Sequence, residues 1–138
     1  MHGHRQEAAA AVQDLTAQAD TKTLIEGAVK RLLDEVPALQ PLKLVIGLDL
    51  RARGDTQQYR IELPGQKVTK DIATDARVRI EVHRSFFNEL AKDGRVADWR
   101  EAFTYGQAKA TGPTQILQLI ERVVDKQEER ARTKRARR

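Results

Sequence analysis

Cysteine is absent from this sequence. That excludes disulfides, thiolate zinc sites, iron–sulfur clusters and cysteine nucleophiles together. Histidine occurs three times, and His2 and His4 stand near the first residue. Little is left for a metal or proton-transfer site, and no cofactor is expected. No apolar run approaches the ~20 residues that span a bilayer. Aromatic residues are scarce, with one Trp, two Tyr and three Phe. Phe86, Phe87, Trp99 and Phe103 nonetheless fall close together.

What is present is a charged chain that can still bury a core. It has 138 residues, 40% of them hydrophobic and 33% charged. This is the length of one domain with a short tail. The formal charge is +5. Its distribution matters more than its sum. Residues 122–138 carry all of it, because acidic and basic residues balance over 1–121. A nucleic-acid-binding domain concentrates basic charge on its folded part, so a nucleic-acid partner is not expected here. The first residues do not read as a secretory signal, since Gln13 and Asp14 interrupt the short alanine run. The last four are not a peroxisomal address. The expectation is a cytoplasmic protein, peripheral to a membrane at most.

The organisation follows from hydrophobic periodicity. Residues 1–20 form a weakly helical segment, helix-forming over 6–18. Asp20 or Thr21 can cap the next helix. There Leu24, Ile25, Ala28, Val29, Leu32, Leu33 and Val36 share one face. Pro37 and Pro41 end it. The period then becomes 2: Leu42, Leu44, Ile46, Leu48 and Leu50 alternate with Lys43, Val45, Gly47, Asp49 and Arg51. Arg53-Gly54-Asp55 and Pro64-Gly65 are turns. Strands follow around Tyr59–Leu63, Lys67–Ile72 and Val78–Val82, read together as an antiparallel meander. Ser85 is a candidate cap for a helix through Phe86, Phe87 and Leu90, and Gly94 stops it. Val96, Trp99 and Phe103 mark another short helix. A strand over 107–111 and a last helix opened by Pro113 complete the series. The fold class is α+β: a five-stranded, largely antiparallel sheet with one face covered by helices. The domain spans 21–125, and 126–138 is a basic tail, either a helical extension or solvated chain.

No constellation of reactive residues appears, and an enzyme is not expected. Gly106-Gln107-Ala108-Lys109-Ala110-Thr111-Gly112 lacks the Gly-Lys-Ser/Thr ending of a phosphate loop, and its glycines bracket a strand. There is no G-x-S-x-G or H-E-x-x-H. His83 falls on the polar side of its strand. Asp71 with Asp75, and Asp93 with Asp98, are the available carboxylate pairs, but both sit in turn-like stretches where aspartate is ordinary.

Apolar surface remains as the candidate site. The order Pro64-Gly65, Lys67-Val68, the strand from Asp75-Ala76-Arg77-Val78-Arg79-Ile80 into Phe86-Phe87-Asn88-Glu89-Leu90, Gly94, Ala102-Phe103, then residues 106–112 and an apolar helix resembles the sterol carrier protein type 2 domain. The resemblance spans residues 42–124. It implies a non-enzymatic protein that binds or transfers a sterol, fatty acyl chain or other lipid in an apolar cavity between sheet and helices. The implied lining is Leu48, Ile80, Phe86, Phe87, Leu90, Trp99, Phe103, Ile116, Leu117 and Ile120, which are also the expected core. The alternative is a module of the same fold without a cavity that works through a protein partner. The tail, through Arg130, Arg132, Lys134, Arg135, Arg137 and Arg138, is a candidate contact for an anionic membrane or another polyanion.

Overall fold

The computed structural model describes residues 21–136. The helix-forming segment 6–18, His2, His4, Arg137 and Arg138 lie outside the described residues. Helix α1 covers 21–35. Ile25, Val29, Leu33 and Val36, spaced four, four and three apart, make its buried stripe. A 3₁₀ turn, Pro37–Leu42, follows where the period-2 pattern placed the start of a strand. Its prolines supply no amide donors, and Lys43 takes a left-handed φ of 49°. Strand pairing therefore begins only at Val45.

Five strands form one sheet: β1 (Val45–Ala52), β2 (Asp55–Glu62), β3 (Lys67–Thr69), β4 (Val78–His83) and β5 (Ala108–Thr111). Their order is β3-β2-β1-β4-β5. The meander expectation is corrected here. β1 and β2 form a hairpin and β3 pairs antiparallel to β2, but β4 crosses to the far side of β1 and pairs with it in parallel. β5 is antiparallel to β4. Strand β3 is also shorter than expected, because the chain leaves the sheet after Thr69 to make this crossing.

Register assigns each side chain a face. Val68, Ile61, Ile46 and Val78 form one row across the sheet, and Tyr59, Leu48, Ile80 and Ala110 form the next. Gln57, Leu50, Val82 and Ala108 form a third. This is the core face. The opposite face carries Arg60, Gly47, Arg79 and Thr111 in one row and Gln58, Asp49, Glu81 and Lys109 in another. Cross-strand charge pairs tie it together. Arg51 pairs with Glu81, and Arg79 reaches Asp49 at 3.4 Å.

The crossing segment, residues 70–77, is held against that polar face. Arg79 donates to the carbonyls of Ile72 and Ala73 at 2.9 and 3.2 Å. Arg60 grips the Asp75 carboxylate at 2.7 Å. Arg79 can lie flat because Gly47 sits beneath it: a Cβ there would stand 3.0 Å from the guanidinium.

The helices lie on the core side. α2 (Arg84–Asp93) starts directly at the end of β4. His83, still extended, is its N-cap residue and makes no side-chain cap bond. Ser85 is already inside the helix, which corrects its assignment as the cap. α3 (Val96–Thr104) follows after two residues. Gly112, at φ 153°, carries the chain from β5 past the Arg77 carbonyl, where a Cβ would clash at 2.4 Å. α4 (Thr114–Ala136) then runs as one unbroken helix, so the described tail is a helical extension. Among the described residues no helix is long and apolar enough to cross a membrane.

The Asp75 carboxyl is held below the usual aspartate range by the hydrogen bond from Arg60. Its folded pKa is thus depressed, so the stability it contributes is present above the unfolded value of 3.8. That contribution is lost as pH falls through the lower folded value. Urea denaturation across pH 6 to pH 2 checks this: the wild-type midpoint should fall more steeply in the acid limb than that of Asp75→Asn.

Candidate functional site

Ten side chains were expected to line one apolar site, and their burial in the structure differs. Leu48 and Phe87 are core residues, fully packed. Ile80, Phe86, Leu90, Trp99, Ile116, Leu117 and Ile120 are half-buried and packed against that core. Phe103 is the most exposed of the ten, at 36%. α3 is only nine residues long and buries Val96 and Ala102. Phe103 adjoins Ala102 in sequence and so lies about 100° round the helix from it.

Ile80 is the informative member. It lies mid-strand on the core face, flanked by Val78 and Val82, each 2% exposed, and paired with Leu48, 4% exposed. Ile80 alone among these four is not sealed, and its other neighbour, Ala110 on β5, is exposed. Helical cover over the core face is therefore complete on the β1 side and incomplete over the middle of β4–β5.

Local sequence explains the incomplete cover. In α2, Phe87 and Ala91 (i, i+4) turn onto the sheet, which leaves Phe86 and Leu90 on the flank. Phe87 meets Trp99 of α3 with ring centroids 5.8 Å apart and planes tilted by 56°. This contact ties α3 to α2, while α3 also packs against β5. In α4 only Val124 is buried, with Ile116, Leu117, Ile120 and Val123 half-buried.

Polar groups fasten this rim. Glu35, at the end of α1, accepts from the Val96 amide at the start of α3 at 3.0 Å. The Asp98 side chain accepts from the Arg95 amide at 2.9 Å, closing the α3 N-terminus. Arg100 of α3 pairs with Asp125 and Glu128 of α4 at 2.6 and 2.8 Å.

One residue escaped the sequence reading. Arg31 lies one turn before Glu35 on α1, on the flank that reaches α3. Its Nε and Nη2 atoms are shut off from solvent and make no hydrogen bond. Buried guanidinium donors without a partner are uncommon and destabilising. In the sequence Arg31 sits between Lys30 and Leu32 and reads as an ordinary solvent-facing base. The available signal was its spacing from Leu24, Ala28 and Glu35, which places it beside the apolar stripe.

The other candidates resolve into structure. His83 is exposed. Asp71 accepts from the Ile72 amide, Asp75 holds Arg60 and Asp98 caps α3, so three of the four candidate carboxylates serve local structure. Among the described residues no group of three metal-ligating side chains exists. In the tail, Arg130, Arg132, Lys134 and Arg135 are all exposed on α4.

No protein-family model matches this chain, and no curated protein does. Solved structures do. The solution structure of the sterol carrier protein domain 2 of Helicoverpa armigera is 15% identical, with a TM-score of 0.53 over 78% of this chain and 85% of that one. The solution structure of palmitated SCP2L2 from Aedes aegypti is 16% identical, with a TM-score of 0.50 over 72% of this chain and 93% of that one. The fold is thus that of the sterol carrier protein 2 domain, as the ordered motifs implied.

Replacing Arg31 by Met keeps the stem's packing and removes the unpartnered donors. Arg31→Met should raise the unfolding free energy of the ligand-free protein by about 1 kcal/mol, read by urea denaturation.

Proposed function

We propose that this protein binds a single-chain lipid with an anionic head, a fatty acid being the simplest case, and makes or breaks no bond in it. The observation that carries this reading is the unsealed pair Ile80 and Ala110 on an apolar face that is closed on the β1 side. An acyl chain laid over Ile80 and Ala110, against Phe86, Leu90, Ile116 and Ile120, would complete the burial that the helices leave unfinished. Arg31, with two donors lacking partners, supplies the group that would receive a carboxylate. The palmitated state of the Aedes aegypti neighbour supports the same choice of ligand.

The magnitudes suit a carrier. Burying on the order of 400 Å² of acyl surface gains ~10 kcal/mol. Ordering the chain and lost motion take back part of it, leaving about 8 kcal/mol, a micromolar dissociation constant. Such a ligand is held firmly yet leaves quickly. The half-buried aliphatic lining makes no directional demand on the tail, so chain length should be tolerated and the head discriminated.

Displacement of a fluorescent fatty acid, cis-parinaric acid, by palmitate tests this. The wild type should take it up saturably. Ile80→Trp, which fills the gap from within the sheet, should weaken uptake at least about tenfold, or ~1.4 kcal/mol. Arg31→Met should weaken palmitate by a similar factor and leave the uncharged hexadecanol unchanged. Absence of saturable uptake by the wild type, or wild-type affinity in Ile80→Trp, would sink the reading.

A further inference from the structure

Helix α4 carries a basic stripe beside an acidic side, with Glu129 at the boundary between them. Glu121, Asp125 and Glu128 recur four and three residues apart, and the last two hold Arg100 on α3. Arg122, Lys126, Arg130 and Lys134 recur every four residues along another side. All four are exposed, and none has an ion-pair partner among the described residues. They span about 18 Å of helix at 1.5 Å per residue. Leu119, 40% exposed, stands three residues before Arg122 and seven before Lys126, which puts it in line with this stripe.

We propose that this stripe docks the protein on a bilayer of anionic lipid. Four unpaired cations along one side of a rigid helix complement a surface of negative head groups, where each base near the surface strengthens binding about fivefold. The exposed Leu119 supplies the apolar wedge that an interfacial helix inserts below the head groups. A phosphate backbone would need the charge and have no use for the leucine. A second copy of the chain would bring like charge against like. Arg132 and Arg135 fall on the acidic side of α4, so the docking face is narrower than the count of tail bases implies. The same helix carries Ile116, Leu117 and Ile120 at the rim of the apolar site, so docking would bring that rim to the lipid. The choice of a lipid surface rests on the ligand reading above.

Cosedimentation of the full chain with phosphatidylcholine vesicles, with and without phosphatidylserine, tests the proposal. Binding should require phosphatidylserine and disappear when salt rises from about 0.1 M to about 1 M, where the screening length falls from ~10 Å to ~3 Å. Arg122→Gln, Lys126→Gln, Arg130→Gln and Lys134→Gln together should lower the partition coefficient by about two orders of magnitude or more. Circular dichroism and cis-parinaric acid uptake in vesicle-free solution should stay as in the wild type. Leu119→Gln should weaken vesicle binding. No binding to phosphatidylserine vesicles at low salt, or wild-type binding by the quadruple variant, would overturn the proposal. So would tighter binding to duplex DNA that is indifferent to Leu119→Gln, since that assigns the stripe to nucleic acid. Loss of fatty-acid uptake with vesicle binding intact would remove the ligand reading and leave the docking face standing. The converse would remove the docking face alone.

Discussion

The parallel pairing of β1 with β4 is the constraint on which the rest of the molecule depends. A hairpin and an edge strand occupy one side of β1, so β4 reaches the other side only if the chain crosses the sheet. It does so over the polar face, without a helix, in residues 70–77. That short path is stable because Arg79 binds two of its carbonyls, Arg60 binds its Asp75, and Gly47 leaves room for Arg79. Burial of the phenol also raises the Tyr59 pKa on the opposite face, where the hairpin meets the core. Once β4 lies beside β1, Ile80 stands next to Leu48 and α2 starts on the core side. β5 then becomes the outer strand.

From that placement the distinction between core and site is one of helical cover. The row Tyr59, Leu48, Ile80, Ala110 is apolar from Tyr59 to Ala110, and its burial declines steadily toward β5. The helices are committed elsewhere. α1 seals its own stripe, α2 turns Phe87 and Ala91 inward, and the Phe87–Trp99 contact holds α3 in place. α4 is attached by one buried valine, a half-buried rim and the Arg100 pairs. An element so lightly buried is where the proposed ligand would enter, because opening it exposes little core.

Much of this was legible in the residues. The period-2 runs located β1, β2 and β4 and identified their core faces, since alternation in a one-sided sheet directly encodes burial. Proline and glycine located most boundaries. The crossing was not legible, because a polar stretch of turn residues looks the same whether it leads to a neighbouring strand or over the sheet. The Ser85 cap failed for a local reason: β4 passes into α2 with no loop in which a cap could sit. Phe103 followed the helical spacing of Val96 and Trp99, yet a nine-residue helix beside another buries too narrow a stripe to hold all three. Arg31 and the charge sorting on α4 depend on which neighbour each side chain meets, and spacing alone does not reveal that.

The most direct measurement is a methyl NMR titration of the full chain, labelled at isoleucine δ1 carbons, with palmitate below its micelle concentration. The account predicts saturable shifts at Ile80, Ile116 and Ile120, with Ile46 and Ile61 unmoved beneath their complete helical cover. Methyl signals that stay in place throughout, or shifts at Ile46 and Ile61 that leave Ile80 untouched, would contradict a ligand completing the apolar face over β4.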